Sequence, residues 1–180
     1  MDTHVVGISL GDPGGIGPEI VFKALTSYFK ENPNDPTSFI LFGSGQVLDN
    51  TYIQSLTSSL TIIKSPPSSK PKKHHIYFID CDIKKDPFTI GYVSAANGLI
   101  AYRSIVRAVE FAENKLIDAL VTAPISKESL LAAGILYTGH TTLLADKTNS
   151  KNVSMAFYTP KLKTVLTTIH HPLREVPTLL

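Results

Sequence analysis

HVVGISLGDPGGIGPEIVFKALTSYF, residues 4–29, contains the two elements and the turn that decide the fold. Residues 4–10 form a short apolar run, which is typical of a buried strand. A glycine-rich turn follows, and residues 18–29 carry apolar side chains at helical spacing. The stretch therefore predicts a strand that leads through a tight turn into an amphipathic helix.

The remainder of the chain repeats this alternation. Apolar runs predict strands over residues 39–42, 60–63, 75–79, 118–122, 155–158 and 165–168, and helical spacing predicts helices over 46–56, 94–115 and 127–133. Strands that alternate with helices of this length favour a mostly parallel α/β sheet with right-handed crossovers. Ligands of such sheets bind at the carboxyl ends of the strands, where the motifs described below fall.

Length and composition exclude several classes of protein. A chain of 180 residues can hold one large domain and the start of another. Its hydrophobic content of 43% indicates a globular fold, and a net charge of +2 is too small to indicate nucleic-acid binding. The single cysteine, Cys81, cannot form an internal disulfide, which fits a reducing cytoplasm. No apolar stretch is long enough for a membrane span, so a soluble, cytoplasmic protein without a membrane partner is expected.

The first motif that could carry chemistry is the turn over residues 11–19, GDPGGIGPE. Glycines let a backbone approach a ligand closely, and a helix N-terminus attracts anions. The spacing is not that of the dinucleotide-binding fingerprint, because Asp12 and Pro13 stand at its start. A tight structural turn without a ligand remains the alternative.

The second motif, YTGHTT over residues 137–142, precedes another amphipathic run. A histidine and hydroxyls at a helix entrance can bind a carboxylate or a phosphate. Alternatively, Thr138 or Thr141 caps the helix and His140 packs nearby. The roles of Lys127 and Asp146 also allow two interpretations. Lys127, for example, either reaches an anionic substrate or is a solvated charge.

The third motif is TTIHHPL over residues 167–173, at the end of a predicted strand. Imidazole is a common ligand of divalent metals. Adjacent side chains on a strand point to opposite faces, so at most one of His170 and His171 is expected to face a given site. Two histidines do not complete a zinc site, which usually has at least three protein ligands.

Four segments together carry a resemblance to a known family. GDPGGIGPEI at 11–20, ALVTAPISKESL at 119–130, TGHTTLLAD at 138–146 and TTIHHPLREV at 167–176 occur in the order in which they stand in the 4-hydroxythreonine-4-phosphate dehydrogenases of vitamin B6 synthesis. The resemblance covers nearly the whole chain. It is a resemblance to the N-terminal half of that family.

The resemblance implies a three-layer α/β/α fold like that of the isocitrate and isopropylmalate dehydrogenases. An N-terminal α/β domain is expected over residues 1–135, and residues 136–180 are expected to begin a second, incomplete domain. The implied reaction is the NAD- or NADP-dependent oxidation of 4-phosphohydroxy-L-threonine, followed by decarboxylation to 3-amino-2-oxopropyl phosphate. The family also implies a homodimer with its site near the subunit interface.

The resemblance assigns roles to three residues. His140 and Thr141 match the pair that binds the phosphorylated hydroxy-amino acid, and His170 matches a ligand of the divalent metal, which is zinc, magnesium or cobalt. The other metal ligands and substrate-binding residues of the family would lie beyond Leu180, so the 180-residue chain is expected to lack a complete site. No catalytic or cofactor-binding residue is assigned.

Two alternatives stay open. Dehydrogenases of other phosphorylated four-carbon acids, such as a threonate phosphate, share the GHT and HxPL blocks. The chain could also be a non-catalytic truncated product that keeps a folding surface without a complete metal site.

Overall fold

A computed structural model describes residues 4–65, 67–68, 75–82 and 87–180. The chain divides into two compact units, Met1–Thr148 and Asn149–Leu180. Most of the Pro-, Ser- and Lys-rich segment at residues 65–73, together with His74, lies outside the described residues. None of the helices in the described part of the chain has the length and apolar character needed to cross a bilayer.

The first unit is built on a five-stranded parallel sheet in the order β3-β4-β2-β1-β5. Its strands are β1 (Val5–Ser9), β2 (Ser38–Gly43), β3 (Ile62–Ile63), β4 (Ile76–Asp80) and β5 (Ala119–Thr122). The chain moves outward from β1 to β2 and to the edge strand β3, inserts β4 between β3 and β2, and then crosses back to β5 on the other side of β1. The order of the strands therefore reverses between β1 and β5, and such a reversal opens a crevice at the carboxyl ends of the two strands.

Helices cover both faces of this sheet. On one face, α1 (Gly17–Glu31) and α2 (Thr51–Thr57) pack on the strands, and Phe22 of α1 is fully buried there with Leu41 of β2. On the other face, α3 (Ala95–Glu113) places Ala108 and Phe111 against Phe42. These packed layers confirm the α/β/α prediction for the first unit.

The helix predicted over residues 46–56 is two elements. A 3₁₀ helix spans Gly45–Asp49, and α2 begins at Thr51. The Asn50 side chain accepts hydrogen bonds from the backbone N–H groups of Tyr52 and Ile53, at 2.9 and 3.2 Å. This N-cap fixes an extended conformation at Asn50 and interrupts the helix.

Two short helices follow β5 and pack against α3. In α4 (Lys127–Ala132), the backbone at Ser129 lies so close to α3 that only a glycine fits at Gly98. In α5 (His140–Lys147), Leu143 is fully buried beside Ile105 and Val109. The division between the units thus falls after α5, whereas the sequence-based division placed it after residue 135. How residues 136–180 would contribute to a second domain of a longer protein stays a prediction.

The second unit contains an antiparallel hairpin of β6 (Ala156–Tyr158) and β7 (Lys163–Val165), followed by a 3₁₀ turn at Leu173–Glu175 and by α6 (Val176–Leu179). The strand predicted over 165–168 is therefore wrong in its bounds. The hairpin turn pairs Tyr158 with Lys163, and the Thr159 N–H donates to the Leu162 carbonyl at 2.8 Å. A turn sets the register of its hairpin, so pairing falls earlier than the apolar pattern suggested.

The sharpest local constraint in the first unit is the turn after β1. Gly11 has φ +70°, and a Cβ there would overlap the carbonyl oxygen of Pro124, which follows β5. The Asp12 N–H donates to the same oxygen at 3.0 Å. A side chain at position 11 would therefore meet both backbone strain and a fixed backbone atom.

We expect Gly11→Ala to lower the free energy of unfolding of the 180-residue chain by about 3 kcal/mol or more, measured by urea denaturation. Gly134→Ala is the matched control, because Gly134 has φ +75° but open space around its Cα. Its cost should be only that of the left-handed backbone, about 1–2 kcal/mol. Equal losses in the two variants would show that the close approach to Pro124 does not constrain the fold.

Candidate functional site

The candidate site lies where the carboxyl ends of β1 and β5 meet. The Ala123 N–H donates to the Ser9 carbonyl at 2.9 Å, which extends the pairing of the two strands by one residue. Beyond it, the chain segments at Gly11 and Pro124 run in contact. The strand order predicts a crevice at this position, and the turn after β1, the segment after β5 and the start of α5 meet there.

Asp12 holds the glycine-rich turn in place. Its carboxylate is buried, with Oδ1 accepting from the Gly14 N–H at 2.8 Å and Oδ2 accepting from the Ser129 hydroxyl of α4 at 3.1 Å. The space beside Gly14 is filled by Asn97 and Thr89. The turn is thus packed against protein atoms, which supports its reading as a structural turn. Sequence reasoning had not identified this role of Asp12, although Asp-Pro-Gly is a turn sequence.

His140, the first residue of α5, is half-buried at the end of β5. Its ring forms a hydrogen bond with the Ala123 backbone, and its Nε2 is buried without a hydrogen-bond partner within the described part of the chain. Burial lowers the pKa of His140 below its ordinary value, and the hydrogen bond to Ala123 only partly opposes this effect. Burial therefore favours the neutral ring, and its Nε2 is left without a hydrogen bond in the described part of the chain.

The three threonines of the second motif differ in what their hydroxyls contact. Thr138 and Thr142 contact each other through their Oγ1 atoms at 3.3 Å, and the Thr142 hydroxyl donates to the Gly139 carbonyl at 3.2 Å. Thr141 is exposed, and its hydroxyl makes no hydrogen bond to any residue that the structure describes. No side chain caps α5, whose N-cap residue is Gly139, so the capping reading is wrong. His140 and Thr141, adjacent at the start of α5, thus each carry a side-chain polar atom that has no hydrogen bond to a described residue.

Lys127 lies beside the same helix entrance. It is exposed at the first position of α4, and its Cε is 3.9 Å from the position that a Cβ on Gly139 would take. Asp146, the other open residue, receives a hydrogen bond from the Tyr137 hydroxyl at 2.5 Å and an ion pair from Lys147 at 3.1 Å. Asp146 is therefore engaged by Tyr137 and Lys147, whereas the Lys127 side chain lies beside Gly139.

His170 and His171 belong to the second unit, Asn149–Leu180. His170 has φ +60° and follows the end of β7 by five residues, so the argument that the two rings diverge along a strand does not hold. His171 Nδ1 is 3.8 Å from a carboxylate oxygen of Glu175. The His170 ring is exposed and has no ion pair or hydrogen bond to another described residue. Among the described residues, no three or more His, Cys, Asp or Glu side chains are grouped as a metal site.

Comparison with known proteins gives a consistent match to one family. The profile of the family described as pyridoxal phosphate biosynthetic protein PdxA matches residues 35–180. A D-threonate 4-phosphate dehydrogenase of Salmonella typhimurium is 35% identical over 97% of this chain and 53% of its own length. A 4-hydroxythreonine-4-phosphate dehydrogenase of Aquifex aeolicus is 35% identical over 96% of this chain and 51% of its own length.

A solved structure matches the fold as well. A 4-hydroxythreonine-4-phosphate dehydrogenase from Burkholderia phymatum superposes with a TM-score of 0.79 at 30% identity, over 99% of this chain and 55% of that protein. The chain therefore spans about half the length of the curated relatives and of the solved structure that it matches.

We expect ¹H–¹⁵N NMR titration of the 180-residue chain to give His140 a pKa below 6.5, because the folded environment favours the neutral ring. Folding then excludes a proton that the unfolded chain binds. The resulting stability is complete above the unfolded pKa and is lost as the pH falls from about 6.5 towards the folded pKa. His140→Gln should flatten the fall in unfolding free energy over this acidic range. An unchanged slope, or a pKa of 6.5 or above, would contradict the burial of a neutral ring.

Proposed function

The chain belongs to the PdxA family of pyridoxal phosphate biosynthetic proteins, and from that premise we propose that it is the N-terminal half of a 4-hydroxythreonine-4-phosphate dehydrogenase. The observation that carries the proposal is the placement of His140 and Thr141. Both lie at the carboxyl ends of β1 and β5, with an unpartnered Nε2 and an unpartnered hydroxyl. They are the pair that the family resemblance assigns to substrate binding.

The chemistry of these two residues suits a polyhydroxylated, phosphorylated substrate. A neutral imidazole nitrogen accepts a hydrogen bond from a substrate hydroxyl without adding charge, and a threonine hydroxyl can donate or accept. Both groups are held on a helix whose Leu143 is fully buried, so their positions are fixed before the substrate arrives. NAD would accept the hydride released when the substrate's secondary alcohol is oxidised, after which the β-keto acid loses carbon dioxide.

The edge of the sheet supports the proposal that a second half completes the protein. Val121 of the edge strand β5 is 50% exposed. A groove of about 460 Å³ runs beside it, and apolar side chains of β1, α1 and β5 line most of it, including Ile8, Ile20 and Leu25. Parallel sheets are normally covered on both faces. The remaining half of the family's length could cover this edge, and a homodimer with its site near the interface is part of the same proposal.

For the metal, we propose that His170, and not His171, is the ligand that this chain contributes. His171 is close to Glu175, while His170 has no partner among the described residues. The described residues do not assemble the three protein ligands that a zinc site usually needs. The proposed metal is zinc, magnesium or cobalt, with its other protein ligands outside the described residues.

A second candidate substrate is D-threonate 4-phosphate. Relatives with this name are 35% and 37% identical to the chain. The two substrates share the 4-phosphate and the carboxylate and differ at C2, where threonate carries a hydroxyl and hydroxythreonine an amine. A non-catalytic role would follow if the coding sequence downstream of Leu180 encoded none of the family's further histidines.

The direct experiment is a kinetic assay of the protein encoded by the complete gene. We expect NAD-dependent turnover, with kcat/KM for 4-phosphohydroxy-L-threonine about tenfold or more above that for D-threonate 4-phosphate. His170→Ala should abolish metal-dependent turnover, and His171→Ala should leave most of it, because only His170 is proposed to hold the metal.

Each result has a clear meaning. The opposite substrate preference would favour the D-threonate 4-phosphate function. Equal losses in the two histidine variants would show that the ligand assignment is wrong. Absence of turnover with either substrate, in a folded protein supplied with NAD and zinc, magnesium or cobalt, would sink the proposed function.

A further inference from the structure

We propose that Lys127 binds the phosphate group of the substrate at the entrance of α5, beside His140 and Thr141. The inference rests on the proposed function for the identity of the substrate. It rests on the structure for the residue, because Lys127 comes from α4 and meets α5 only through the fold.

The Lys127 side chain lies along the backbone of Gly139. Its Cε is 3.9 Å from the place that a Cβ on Gly139 would occupy, so the aliphatic stem passes along the Gly139 backbone. Gly139 has no side chain to displace it. The ammonium group is one bond further on, beside Gly139, the residue that directly precedes His140 and Thr141 in the chain.

The charge of Lys127 is not neutralised by a neighbouring side chain of the described residues. Lys127 makes no ion pair or hydrogen bond with any residue in the described part of the chain, and this includes the adjacent Glu128. The nearby Asp12 carboxylate already accepts hydrogen bonds from the Gly14 N–H and the Ser129 hydroxyl. Lys127 therefore brings an unpaired positive charge to the Gly139 backbone at the entrance of α5.

Lys127 occupies a position on its own helix that does not favour a cation. It is the first residue of α4, after the N-cap Ser126, and a cation in the first turn of a helix opposes the helix dipole. The residue is therefore not there to stabilise α4. A cation at a helix start that forms no stabilising contact runs against the local preference, and such exceptions are expected at functional sites.

The substrate offers Lys127 two kinds of anionic group, a phosphate and a carboxylate. Both candidate substrates carry a phosphate and a carboxylate, and the phosphate has close to two negative charges at neutral pH. Lysine binds phosphate as a compact point charge, and hydroxyl and backbone N–H donors complete such a site. Thr141 and the start of α5 offer those donors next to Lys127. Phosphate is thus the better match for this position.

The role makes a prediction about specificity. A residue that binds the shared phosphate should not distinguish 4-phosphohydroxy-L-threonine from D-threonate 4-phosphate. In the protein encoded by the complete gene, Lys127→Gln should raise KM for both substrates by the same factor, about tenfold, with a much smaller change in kcat. Unequal factors would place Lys127 near C2 instead of the phosphate.

A binding test needs no turnover. Sodium phosphate is titrated into the ¹⁵N-labelled 180-residue chain at constant ionic strength, and the amide signals of Gly139, His140 and Thr141 are followed by NMR. We expect these signals to shift together. The apparent Kd should rise about tenfold in Lys127→Gln and stay unchanged in Lys30→Gln, an exposed lysine in the last turn of α1. Sodium acetate, a carboxylate probe, should bind more weakly than phosphate.

The outcomes separate the two proposals. An unchanged Kd in Lys127→Gln, or acetate binding as tightly as phosphate, would overturn the assignment of Lys127 to the phosphate. If the short chain shows no shifts at these amides, the KM of Lys127→Gln in the complete protein decides, and an unchanged KM overturns the assignment. Phosphate binding that depends on Lys127 in a protein without dehydrogenase activity would overturn the proposed function alone. Because Lys127→Gln removes a cation from a helix start, its thermal stability should equal or exceed that of the parent chain.

Discussion

The backbone at Gly11 and the carbonyl of Pro124 lie so close that no side chain fits at position 11. This approach joins the turn after β1 to the segment after β5, and the rest of the site depends on it. The Asp12 N–H donates to the same carbonyl, and the Asp12 carboxylate receives the Ser129 hydroxyl of α4. One short stretch of chain therefore fixes the ends of two strands and the start of a helix relative to one another.

The chemistry of the site follows from that packing. α5 is held against α3 by Leu143, and this places the His140 ring against the Ala123 backbone. Partial burial favours the neutral ring, and neither its Nε2 nor the Thr141 hydroxyl has a hydrogen bond to a described residue. The side chain of Lys127, on α4, lies beside Gly139 at the start of the same helix. Neutral and charged groups thus come from different elements that the β1–β5 junction brings together.

Sequence reasoning succeeded where the signal was local. Strands β1, β2, β4 and β5 and helices α1 and α3 were predicted to within a few residues, because their apolar periodicity reflects burial on one or both faces. It failed where neighbouring side chains or a turn decide the outcome. The Asn50 cap divides one predicted helix in two, and the turn at Thr159 moves β7 towards the N-terminus.

The candidate site shows the same division. The resemblance of the GHT block assigned His140 and Thr141, and the structure adds that both have free polar atoms. The proximity of Lys127 to Gly139 could not be predicted, because it depends on how α4 and α5 pack. The only signal in the sequence was a lysine at a helix start. The metal assignment of His170 rests on the family pattern and on the proximity of His171 to Glu175, since the strand argument for it does not apply.

The central claim is that His140 binds the substrate at the junction of β1 and β5. The most direct measurement is kcat/KM of the protein encoded by the complete gene, with His140→Ala compared with Thr142→Ala. The Thr142 hydroxyl donates to the Gly139 carbonyl and contacts the Thr138 hydroxyl, so its loss should change kcat/KM little. His140→Ala should lower kcat/KM for the phosphorylated substrate by about tenfold or more, equivalent to about 1.4 kcal/mol of transition-state binding. An unchanged kcat/KM in a normally folded His140→Ala protein would contradict the account and return His140 to a purely structural role.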